Sequence, residues 1–154
     1  MATIPRIPPV PQHRSGRGTF VRPELTALLA LADEKLRATG LLIAGGAWGD
    51  ASSRACYAAF HAVSAALLSR GETYSRHGQV LGAFNRAFVH TGLLPNEFTA
   101  LLTRLFENRQ SGDYDVLPGV TEAEARQDIA DAQRIVEAVR RFLSPPPGVD
   151  DEVI

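Results

Sequence analysis

The sequence predicts an all-α protein: an antiparallel up-and-down bundle of about five helices. Three observations carry that expectation. Apolar residues recur at three- and four-residue spacing in five separate stretches. Glycine- and proline-containing breaks separate the stretches, and none shows the sustained alternation of a half-buried strand. The breaks are short, which favours antiparallel neighbours.

The first helix is expected from about Pro23 to Ala44. Pro23 suits a first-turn position, where no amide proton is needed. Leu25, Leu28, Leu29, Ala32, Leu36 and Leu42 follow helical spacing, and Gly45-Gly46 end the run. The second is expected to start near Asp50 or Ser52, both good caps, and to reach Ser69 before Gly71. Its many alanines allow another helix to approach closely, so this face is a plausible part of a dimer interface. The third spans about His77 to His90, with Val80, Leu81, Phe84 and Phe88 as its apolar stripe. The fourth begins at Pro95-Asn96, carries Phe98, Leu101, Leu102, Leu105 and Phe106, and frays near Arg109 to Gly112 into a polar loop. The last opens on Thr121-Glu122-Ala123-Glu124, a capping-box pattern, and runs to about Leu143.

These helices give one domain over residues 23–144. An extended arm rich in proline, glycine and arginine precedes it over 1–22, and a proline-rich acidic tail follows over 145–154. At 154 residues the chain can bury a real core. The formal net charge of -1 advertises no overall affinity for nucleic acid, although a local arginine cluster acts without moving the total. Lys35 is the only lysine, a bias that reflects genome composition more readily than function. The single cysteine, Cys56, permits no internal disulfide and reads as a small buried hydrophobe. No secretory signal and no membrane-length apolar run is seen, so a cytoplasmic location is the default. The four histidines lack metal-ligand spacing and no nucleotide-binding loop is present, so no metal and no cofactor is expected.

Two clusters carry whatever chemistry the chain has. Arg54 and His61 lie seven residues apart within the second helix, hence on nearly the same side of it. A histidine can move a proton and an arginine can hold a phosphoryl oxygen, which together suffice in principle for metal-independent RNA cleavage. Two such pairs meeting across a symmetric dimer would supply both an acid and a base. On spacing alone a structural role takes precedence: His61 donating one hydrogen bond inside the bundle, Arg54 pairing with a carbonyl or an acid. The second cluster is Arg109, Asp113 and Tyr114, which can grip phosphate and present a hydroxyl, or simply pair and pack. Ser75-Arg76-His77 reads first as a cap and first turn, with His77 able to point into a shared cleft.

The run Ser53-Arg54-Ala55-Cys56-Tyr57-Ala58-Ala59-Phe60-His61-Ala62 resembles a signature helix of the prokaryotic HEPN superfamily. Ser75-Arg76-His77-Gly78, Arg109 through Asp113-Tyr114 and the closing helix after Thr121 match the same family in order and spacing. The resemblance covers about Leu25 to Leu143. It implies an antiparallel helical bundle that pairs as a homodimer around a cleft. It also implies a toxin–antitoxin or phage-defence setting, often beside a nucleotidyltransferase acting as antitoxin. Many members are metal-independent ribonucleases with an arginine, four to six residues and a histidine. Carried over, Arg54, His61, Arg109 and Tyr114 form the catalytic set, with His61 moving the proton and the arginines binding phosphate. Arg76, His77 and Asp113 bind RNA or orient these groups, Asp113 acting on Arg109. Tyr114 stands where the later motif would place its histidine. That departure supports an alternative: a non-catalytic module that binds a nucleotide, or whose Tyr114 hydroxyl a partner nucleotidyltransferase modifies.

Overall fold

The computed structural model describes residues 22–114 and 119–144, with side chains for 23–106 and 119–144. The expected tail, and all of the expected arm except the backbone of Arg22, lie outside the described residues. Five α-helices form: α1 Arg22–Ala44, α2 Trp48–Leu68, α3 His77–Phe84, α4 Glu97–Tyr114 and α5 Glu122–Leu143. A π-helical turn, Asn85–Val89, extends α3. No strand occurs among the described residues. The all-α bundle expected from the sequence is therefore what the chain forms.

The centre of the bundle is α2, which packs against α1, α5 and α4 and, near its middle, α3. Sixteen of its 21 residues are buried, which requires neighbours on every side rather than along one stripe. Ala55, Ala58, Ala59, Ala62, Ala65 and Ala66 are all fully enclosed within the protomer. The alanine face expected at a dimer interface is thus taken up by the chain's own helices. Small side chains let several helices crowd one axis, and in this chain those helices are intramolecular.

The connection from α1 to α2 is three residues long. Gly46 takes a φ of 78°, a left-handed conformation that a Cβ would strain, and lets the chain reverse. Ile43, Ala51 and Ala125 cluster at one end of the bundle, while Leu28, Ala65 and Leu68 cluster at the other. Accordingly α1 runs antiparallel to α2, and α2 and α5 begin at the same end. Glu97 pairs with Arg134 and Arg104 with Asp131, so α4 descends as α5 climbs. The main core joins Phe60, Val63 and Leu67 of α2 to Phe84 and Phe88, to Phe98, Leu102 and Leu105 of α4, and to Ile135 and Val139 of α5.

Three boundaries differ from the expectation. The residue before α2 is Ala47, with no side-chain cap; Asp50 lies within the first turn, and Ser52 turns inward instead. Arg76, not Ser75, is the extended residue preceding α3, and its side chain forms no cap. The backbone of α4 continues helically through Gly112 to Tyr114 rather than fraying into a loop. By contrast, the capping box of α5 forms as read: Glu124 N–H donates to Thr121 Oγ1 at 3.1 Å, and Thr121 N–H to Glu124 Oε1 at 3.0 Å. Thr121→Ala removes one partner of an otherwise orphaned amide and should cost about 1 kcal/mol in urea denaturation.

Candidate functional site

Arg54 and His61 do lie on nearly the same side of α2, but their environments are opposite. Arg54 is exposed, and it makes no hydrogen bond or ion pair among the described residues. His61, two turns on, is only 4 % exposed. Its Nδ1 is buried without a hydrogen-bond partner among the described residues, as is the hydroxyl of Ser64 one turn further. The imidazole pKa is pushed down to about 4, chiefly by burial and further by the positive charge of Lys35 on α1, with Glu34 opposing both in part. His61 is therefore neutral at pH 7. A group so hard to protonate is a weak base at neutral pH, which sets this environment against the expected proton-transfer role.

What His61 does share is an aromatic cluster. Its ring meets Phe60 edge-on at 6.1 Å between centroids. His77, the first residue of α3, also meets Phe60, at 4.6 Å between centroids. The His77 ring stacks on Phe106 of α4 at 4.8 Å and 21°, and Tyr57 approaches it edge-on at 6.5 Å. The two histidines thus meet one phenylalanine, with Tyr57 and Phe106 on the His77 ring, where α2, α3 and α4 meet. His77 points into this junction, while Arg76 beside it is exposed. Arg109, Asp113 and Tyr114 lie on the last turns of α4; their side chains fall outside the described residues. The geometry brings His61 and His77 to the same ring and leaves Arg54 at the surface.

Two polar pairs went unread in the sequence. Ser52 Oγ donates to Asp128 Oδ2 at 2.6 Å, and both residues are fully buried between α2 and α5. Asp131, also buried, accepts from Arg104 and from Gln127 Nε2. A signal existed for Asp128: it interrupts the apolar stripe Ala125, Ala132, Ile135, Val139 at a core position. Ser52→Ala leaves a buried carboxylate without this donor and should lower stability by about 1.5–3 kcal/mol, measured by chemical denaturation at pH 7. Among the described residues no group of three His, Cys, Asp or Glu side chains could hold a metal ion. Nor is any described helix long and apolar enough to cross a membrane.

Five helices built around a central α2 make a small helical-bundle domain. The HEPN domain family model matches residues 25–142, and the chain belongs to that family. It is 38% identical over 94 residues to a "UPF0332 protein" of Thermotoga maritima, covering 61% of this chain and 71% of the relative. It is 31% identical over 123 residues to a Methanocaldococcus jannaschii protein named "Putative toxin", covering 80% of this chain and 91% of that one. A second M. jannaschii protein of the same name is 27% identical over 120 residues, covering 78% and 82%.

Proposed function

We propose that this chain is a toxin-type HEPN protein that acts as a homodimer, with RNA as its target and metal-independent cleavage as its reaction. The observation that carries the reading is the match to the M. jannaschii protein named "Putative toxin", which takes in 91% of that protein's length. In this reading Arg54 and Arg109 hold phosphate. Arg54 supports that role by being exposed and committed to no partner among the described residues. Asp113 orients Arg109, Tyr114 presents its hydroxyl, Arg76 adds a phosphate contact, and His61 and His77 set the packing beneath.

A second reading is favoured by one observation. His61 is enclosed and neutral at pH 7, which suits a module that binds a nucleotide or pairs with a nucleotidyltransferase antitoxin without cutting anything. Expression in a bacterial host separates the two. The toxin reading expects growth arrest on induction of the chain alone, relieved by Arg54→Ala or Arg109→Ala at equal protein level. Normal growth, together with stable co-purification of a nucleotidyltransferase, would favour the partnered module.

A further inference from the structure

The outer side of α1 runs against the usual pattern of a surface helix. Ala27, Ala30, Leu31, Glu34, Arg37, Ala38, Leu41 and Ala44 fall on one face. All are exposed except the half-buried Ala38, and six of the eight are apolar. Leu41 is 76% exposed and Leu31 38%. An amphipathic helix at the edge of a bundle would place charges there. The two charged residues on this face, Glu34 and Arg37, make no ion pair among the described residues, whereas Asp33 just beside them is held by Arg140.

The spacing on this face is a heptad repeat. Ala27, Glu34 and Leu41 form one row, and Ala30, Arg37 and Ala44 the other. When two copies of such a helix are laid antiparallel about a two-fold axis between Lys35 and Leu36, each member of one row faces a member of the other. Ala27 meets Ala44, Ala30 meets Leu41, and Glu34 meets Arg37, each pair occurring twice by symmetry. Leu31 and Ala38 flank the seam. A parallel pairing would instead set Glu34 against Glu34 and Arg37 against Arg37. The alanines permit close helix approach at both ends, and the charges select the direction.

We propose that the outer face of α1 is the homodimer interface: two copies of this chain pair antiparallel through α1, with Glu34 of each bonded to Arg37 of the other. The proposal deepens the homodimer reading given above and rests on it. It leaves the covered alanine face of α2 out of the interface and places the dyad on the α1 side of the bundle.

Charge reversal tests it on the full chain by sedimentation equilibrium. Glu34→Arg places four cations at the dyad and should weaken dimerisation about a hundredfold, as should Arg37→Glu with four anions. The double variant E34R/R37E restores the pairing with its signs exchanged, and its dimer should be as tight as wild type to within about threefold. Both positions are exposed, so the variants should fold, which circular dichroism checks. A30C/L41C provides a second readout. Residues 30 and 41 lie three turns apart on one helix and cannot bridge within a chain, so a covalent dimer under oxidation reports the antiparallel register. A30C alone should give none. A wild-type dimer indifferent to both reversals would overturn the α1 interface while leaving a homodimer through another surface. A wild type that stays monomeric would overturn the homodimer reading as well.

Discussion

Phe60→Ala is expected to cost about 3–5 kcal/mol of folding stability, the largest loss of any single substitution proposed for this protein. Phe60 is 1% exposed at the point where three helices converge, with His77 at 4.6 Å and His61 at 6.1 Å between ring centroids. Its removal opens a cavity that α2 cannot collapse into, because α1 and α5 also hold that helix. The loss therefore includes the cavity as well as the transfer of the ring from water. Urea denaturation at pH 7 measures it. Phe60→Leu keeps most of the volume and should cost far less. A loss below about 1 kcal/mol for the alanine variant would mean that the ring does not fill the junction.

Acidification from pH 7 to pH 4 should cost the protein about 3 kcal/mol through His61 alone. The sign follows from the direction of the shift. The unfolded chain protonates this histidine near its ordinary value of 6.5, whereas the folded chain resists until about 4. Below 6.5 the unfolded state binds the proton more readily, so His61 destabilises the fold progressively as pH falls from 6.5 to 4. Above 6.5 its contribution is fully present and flat. His61→Phe removes the titrating group and the unpartnered Nδ1 together while keeping a ring beside Phe60. That variant should match wild type to within about 1 kcal/mol at pH 7 and exceed it at pH 5. Parallel pH profiles for the two proteins would show that His61 is not the group responsible.

The sequence carried the helices well because each rests on local signals. The capping box at Thr121, the Gly45-Gly46 break and the burial of Cys56 all follow from neighbours within a few positions. The departures arise where tertiary contacts override local chemistry. Ser52 reads as a cap by residue type, yet Asp128, 76 positions away, claims its hydroxyl. The helix starting at His77 does not continue evenly to His90: Asn85–Val89 widens into a π-turn, where Asn85 accepts a hydrogen bond from Thr99 Oγ1 at 2.7 Å. Helical periodicity correctly placed Arg54 and His61 on one side of α2. It carried no information on which of the two another helix would cover. That depends on tertiary packing, which leaves the guanidinium exposed and encloses the imidazole.

The central claim is that this HEPN protein acts on RNA without a metal ion. Its most direct test is incubation of the purified full chain with RNA in excess chelator, with analysis of the product ends. The account predicts cleavage leaving 2′,3′-cyclic phosphate ends, reduced about a hundredfold by Arg54→Ala or Arg109→Ala with the fold intact. Intact RNA under those conditions, or cleavage indifferent to both arginines, would contradict it.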